Sequence, residues 1–153
     1  MNTDKKELRV NAIKNGTVID HIPSEDLFKV IKILGLQNIK NTMTLGNNLE
    51  SKTQGSKAII KISELFFKDD DINRIALAAP NAKLNIIKNY EVVEKRQVEV
   101  PDTIIGIAQC VNPKCITNHE AVQTHFTVVD KKNIELRCQY CEKITTRKNL
   151  RLQ

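Results

Sequence analysis

Tryptophan is absent and aromatic residues make up only 4% of the chain, so any core must be built from Ile, Leu and Val. No apolar run approaches the roughly 18 residues that a membrane-spanning helix needs. The N-terminal stretch MNTDKKELRV holds no apolar signal core, so the expectation is a cytoplasmic chain with no membrane contact. Five glycines leave little material for a phosphate-cradling loop, and any phosphate binding must use lysines. There is no G-x-S-x-G, P-loop, G-x-G-x-x-G or H-E-x-x-H motif. Without a base–nucleophile pair, an enzyme is the least favoured class. What remains is ordinary: 153 residues, 41% hydrophobic and 27% charged, which excludes a wholly disordered chain. That length allows one domain or two small ones.

Four cysteines stand in the last third of the chain, spaced C-x4-C and C-x2-C: Cys110, Cys115, Cys138 and Cys141. A reducing cytosol disfavours structural disulfides, so paired short-spaced thiols read as a zinc site. Tetrahedral zinc accepts four thiolates, and each pair sits on a tight turn that aims two sulfurs at one centre. Four unrelated thiols, or a redox pair at Cys138 and Cys141, are the plainer alternatives. A catalytic zinc keeps an open position, whereas four cysteines close the shell. His119 and His125 lie between the turns and are expected outside that shell. The metal is therefore read as structural, holding together a segment that starts at Pro101 and is marginal without a staple.

The formal charge is +6. Residues 101–153 carry 8 basic and 5 acidic side chains, and four thiolates with one Zn2+ leave them near +1. A nucleic-acid module concentrates positive charge and stacking aromatics on one face. This segment has only Phe126 and Tyr140, so the charge is read as a solvated surface and no nucleic-acid partner is expected.

The first hundred residues alternate between strand and helix patterns. Leu8, Val10 and Ala12 alternate, and residues 17–22 form a second strand ended by Pro23. Ser24 is placed to cap a helix carrying Leu27, Val30, Ile31 and Leu34, with Gly35 at its end. Met43, Leu45 and Leu49 mark a strand, and residues 58–62 a stronger one. Asp69, Asp70 and Asp71 open a second helix with apolar Ile72, Ile75, Ala76 and Ala79, stopped by Pro80. Residues 84–93 read as one last long strand. The order predicts an α+β, ferredoxin-like domain whose antiparallel sheet has two helices on one face and leaves the other free.

The run Lys-Asn-Gly-Thr-Val-Ile-Asp-His-Ile-Pro at residues 14–23 resembles the N-terminal signature of aspartate carbamoyltransferase regulatory chains. The resemblance continues through Ile59-Ile60-Lys61-Ile62, Ala79-Pro80-Asn81-Ala82, Asn85, Asn89-Tyr90-Glu91-Val92-Val93 and Lys95. It ends in the cysteine pattern with Cys138-Gln-Tyr-Cys-Glu142-Lys143, and covers nearly the whole chain in order.

The resemblance implies a non-catalytic allosteric subunit in pyrimidine biosynthesis. It implies a nucleotide-effector domain over residues 1–100, binding CTP, UTP and ATP. It implies a small all-β zinc-binding domain over 101–153 that docks the catalytic chain, with one structural Zn2+ per chain. The two are expected to join near residues 98–103. Two such chains are expected to pair as a homodimer through their N-terminal domains. Carried over position by position, the base and ribose region is Ala12, Ile13, Val18, Asp20, Tyr90 and Val92. The phosphate region is His21, Lys61 and Lys95, with Asn85 nearby. Asn112 and Glu142 are expected at the catalytic-chain interface. The first cysteine turn departs from well-known members at Lys114. Lys5-Lys6-Glu7, in a region that helps a second nucleotide act in the family, departs as well. Convergent lysines suit a polyanion, and Lys61 between Ile60 and Ile62 is an expensive charge unless its face is open.

Overall fold

A computed structural model of the chain describes residues 12–52 and 55–153. The expected strand through Leu8 and Val10, and the Lys5-Lys6-Glu7 segment, lie outside the described residues. In chain order the N-terminal part contains β1 (Gly16–Pro23), α1 (Leu27–Ile33), β2 (Met43–Ser51), β3 (Gly55–Ser63), α2 (Asp69–Ala78), β4 (Lys83–Lys88) and β5 (Glu91–Gln97). They form one antiparallel sheet in the order β2-β3-β1-β4-β5. The first four of these neighbours have the expected ferredoxin-like order. The fifth strand is a correction. The segment read as one long strand is a hairpin, because Asn89 and Tyr90 both take left-handed backbone, φ 52 and 68. Two successive left-handed residues make a tight turn whose twist matches the flanking strands. Asn-Tyr in place of the usual Asn-Gly concealed it.

The expected cap at Ser24 is also corrected. Ser24 to Asp26 form a 3-10 turn, Leu27 opens the helix, and the Ser24 hydroxyl bonds that of Ser56 at 2.9 Å. Gly35 takes the left-handed φ of 65 that ends α1, where its N–H bonds the Lys32 carbonyl. The three acids of α2 stand at its positive end, and Asp71 accepts from the Lys68 N–H at 3.3 Å.

Residues paired across an antiparallel sheet share a face. Ile19, Ile60, Ile62 and Leu84 face the helices and are fully buried. Arg96, paired with Leu84, lies on that same side and meets Asp69 of α2 at 3.6 Å. Among the described residues the opposite face carries no helix.

The chain leaves β5 through buried Val98 and Val100. It then forms β6 (Thr103–Ile105), β7 (Ala108–Gln109), β8 (His125–Asp130), β9 (Glu135–Cys138), β10 (Ile144–Thr146) and β11 (Arg151–Leu152). A four-stranded sheet in the order β10-β9-β8-β6 packs around Phe126, Ile104, Ile134 and Leu136, and β7 pairs with β11. One continuous buried apolar cluster runs from the first sheet through Val98 and Val100 to Leu150.

Candidate functional site

The strand register aligns candidate residues scattered over the first hundred positions. Val18 pairs with Lys61 on one side and Asn85 on the other, and Asn85 pairs with Lys95. Lys61, Val18, Asn85 and Lys95 therefore form a single row across four strands, on the face away from the helices. Lys61 is half-buried and its neighbours Ile60 and Ile62 point into the core. Its ammonium thus stands on the open side.

Rows two residues apart along a strand lie about 7 Å from one another. One row away, Gly16, Ile87 and Val92 are aligned, with Val92 exposed. Beyond them the turn closes, where the Tyr90 N–H bonds the Lys14 carbonyl at 2.9 Å. That bond brings exposed Tyr90 beside the segment that carries Ile13 and Ala12. One row the other way, Asp20 pairs with Lys83. His21 occupies a bulge in β1 between Ile19 and Ile22, with a left-handed φ of 59. Such backbone is costly for a side chain bearing a Cβ and gathers at functional positions. The His21 N–H bonds the Asp20 carboxylate at 2.6 Å, while buried Nδ1 lies 3.6 Å from that carboxylate and has no hydrogen-bond partner among the described residues.

The open-face positions of β1, β3, β4 and β5 hold four lysines, Lys57, Lys61, Lys83 and Lys95, against one carboxylate, Asp20. This is a surface for an anion. Lys57 and Lys83 complete it. No motif singles out Lys83 among the chain's 24 basic residues.

In the C-terminal part the four sulfurs all lie within 4.8 Å of one another. Cys110 and Cys141 are 3.5 Å apart and Cys115 and Cys138 3.7 Å, so each close pair joins the two turns. A tetrahedron with Zn–S bonds of about 2.3 Å has edges of about 3.8 Å, so the spacing fits zinc. It is far too long for a disulfide, whose sulfurs lie about 2.05 Å apart. Neither histidine joins the cluster: His119 Nε2 lies 2.7 Å from the Pro113 carbonyl, and His125 opens β8.

The protein arranges donors around the sulfurs. Backbone N–H groups of Asn112, of Tyr140 and Cys141, and of Lys143 serve Cys110, Cys138 and Cys141 respectively, and the Thr117 hydroxyl donates to Cys115 at 3.2 Å. Burial pushes the Cys110 and Cys138 thiols up. Burial also opposes ionisation of Cys141, but bonds from Lys143, Asn112 and the neighbouring thiols prevail and lower it to about 7. A divalent cation would hold all four as thiolates, and with four sulfurs no position is left for a reacting water. Asn118, not singled out by its spacing, donates Nδ2 to the carbonyls of Cys110 at 3.0 Å and Asn112 at 2.8 Å. Asn112 itself is half-buried and accepts from the Lys114 N–H at 3.0 Å. Glu142 is exposed on the second turn with a left-handed φ of 64.

Comparison with known proteins accounts for both regions. The family model for the allosteric domain of the aspartate carbamoyltransferase regulatory chain matches residues 8–99, and that for its metal-binding domain matches residues 102–151. The chain is 53% identical to the aspartate carbamoyltransferase regulatory chain of Phocaeicola vulgatus, covering 99% of this chain and 98% of that one. It is 56% identical to that of Porphyromonas gingivalis, covering 91% and 92%. An archaeal relative, from Pyrococcus horikoshii, is 52% identical over 90% and 91%. Among the described residues no helix is long and apolar enough to cross a membrane. The chain belongs to the aspartate carbamoyltransferase regulatory-chain family and is a non-catalytic, regulatory chain with an allosteric and a metal-binding domain.

Proposed function

We propose that the open sheet face binds a nucleoside triphosphate, CTP or ATP at one shared site, with UTP as a further inhibitor. The observation that carries this reading is the row Lys61, Val18, Asn85, Lys95 on a face with four lysines and one acid. Three rows of that face span about 14 Å along the strands, an extent comparable with that of a nucleoside triphosphate. Tyr90, Val92, Ile13 and Ala12 would meet the base end. Lys61, Lys95 and His21 would meet the phosphates, where mobile ammonium donors follow a polyanion without fixed geometry. Asp20 would receive a ribose hydroxyl.

Residues 1–100 then act as the effector domain and pair with a second copy. Residues 101–153 dock a catalytic chain through the zinc turns, with Asn112 and Glu142 at the contact, in a reducing cytoplasm that keeps the thiols available. An effector changes activity only if it binds two global states with different affinity. CTP and ATP differ in base size, so they would favour different arrangements of the two parts.

The test is calorimetric titration of zinc-loaded protein with CTP and ATP, beside a Lys61→Ala, Lys95→Ala double variant. Competitive binding lost in the variant supports the site. Unaltered binding in the variant removes it. Reconstitution with a catalytic chain then reads the effect of each nucleotide on activity.

A further inference from the structure

Arg147 reaches out of the metal-binding domain. From the 3-10 turn Arg147–Asn149 it donates Nη2 to the Asp26 carboxylate and, at 2.8 Å, to the backbone carbonyl of Ala78. Asp26 immediately precedes α1 and Ala78 is the last residue of α2. A final-turn carbonyl has no partner within its helix, and a cation there also meets the negative end of the helix dipole. One guanidinium thus holds the start of one helix and the end of the other. Among the described residues no other ion pair joins residues after 101 to those before 100.

Asp26 stands close to the anion-binding face along the chain. His21 and Asp20 sit in the bulge of β1, and four residues separate His21 from Asp26. That connection has little slack. Ile22 is fully buried, Pro23 has its φ set by its ring at −56, and Ser24 to Asp26 are a 3-10 turn. A ligand that moves the bulge moves Asp26, and Arg147 with it.

We propose that Arg147 is the positioning residue that couples the effector face to the metal-binding domain: its grip on Asp26 and Ala78 sets the angle between the two parts, and a nucleotide bound beside the bulge shifts that angle. The proposal rests on the nucleotide reading above and adds the element through which the response leaves the effector domain. It names a specific contact that joins the two parts and that each state of the effector face would place differently.

The experiment uses the full zinc-loaded chain reconstituted with a catalytic chain, in wild-type, Arg147→Ala, Arg147→Lys and Asp26→Ala forms. Calorimetry reads CTP and ATP affinity. The ratio of holoenzyme activity with and without each nucleotide reads coupling. The expected result is unchanged affinity, zinc content and assembly, with the activity ratio falling several-fold toward one in Arg147→Ala and Asp26→Ala. Both bonds leave the one nitrogen Nη2, so a lysine ammonium keeps the charge and enough donors, and Arg147→Lys should retain part of the ratio. Combining Arg147→Ala with Asp26→Ala should add little to either alone. A lower melting temperature with an intact ratio would mean a structural brace and overturn the proposal. If the wild-type chain binds neither nucleotide, the nucleotide reading itself fails. Small-angle scattering of the chain alone then decides the latch: a larger radius of gyration in Arg147→Ala supports it, and no change overturns it.

Discussion

Lys57 Nζ stands 2.9 Å from the Asp20 carboxylate, so the one acid on the open face of β1, β3, β4 and β5 is neutralised by a lysine of β3. Both side chains are about one-fifth exposed, which protects the pair from solvent more than a surface ion pair. Removing Lys57 subtracts a cation from the face and leaves the Asp20 charge without its lysine beside a bound polyanion. Lys57→Ala should therefore weaken CTP and ATP binding by about tenfold, roughly 1.4 kcal/mol. Adding Asp20→Asn should recover part of that loss, because the unpaired charge is gone. Calorimetry on the three proteins checks this, and a double variant no better than Lys57→Ala would refute it.

The two amide bonds of Asn118 hold the first cysteine turn in shape. Asn118→Ala leaves the Cys110 and Asn112 carbonyls without that donor, at a cost of about 1–3 kcal/mol. Zinc should leave the variant faster when challenged with a chromogenic chelator. An unchanged release rate would show that the turn is held by its backbone bonds alone.

Glu142 holds a left-handed backbone that glycine adopts freely. Its side chain is exposed, so the strain brings no packing in return. Glu142→Gly should leave zinc binding intact and stabilise the turn by up to about 1 kcal/mol, while weakening assembly with the catalytic chain. Denaturation and sedimentation read the two effects separately. A stabilised variant that still assembles fully would remove Glu142 from the interface.

Burial holds the Asp26 carboxyl above its ordinary value, against the lowering pull of Arg147 and Lys29, with Glu25 adding to the rise. The folded-state value lies above the unfolded one, so the native state binds the proton more tightly. The ionised carboxylate then costs stability at neutral pH, and the cost is relieved as pH falls through the raised value toward 3.8. Urea unfolding of wild type and Asp26→Asn should show the difference moving in favour of wild type between neutral pH and about pH 4. A difference that is flat with pH, or of opposite sign, would contradict burial as the dominant cause.

Zinc removal separates the two parts of the chain. Chelation should free the four thiols, expose the β8–β9 sheet to hydrogen exchange and abolish docking on a catalytic chain. Amides of β1 and β3 should stay protected, since Ile19, Ile60 and Ile62 belong to strands that carry none of the cysteines. Assembly that persists after verified zinc loss would exclude docking through the zinc turns.

The zinc tetrad was legible because its information is local: four thiols at short spacing in two turns. The two helices and strands β1 to β4 were legible from their periodicity, whereas no strand after residue 100 was. The β4–β5 hairpin was not, since Tyr90 carries no turn signal and its left-handed backbone depends on the bond its N–H makes to Lys14. The start of α1 was misplaced because Ser24 bonds Ser56 on β3, a partner no local pattern reveals.

The order of elements up to β4, the metal chemistry and the family were legible in the amino-acid sequence alone, because spacing, periodicity and residue type act over a few neighbouring positions. Tertiary structure decided the rest. Strand register, not proximity in the chain, placed Lys61, Val18, Asn85 and Lys95 in one row and turned Lys61 away from the core. The Arg147–Asp26 pair spans 121 residues and exists only because the two parts of the chain pack against one another.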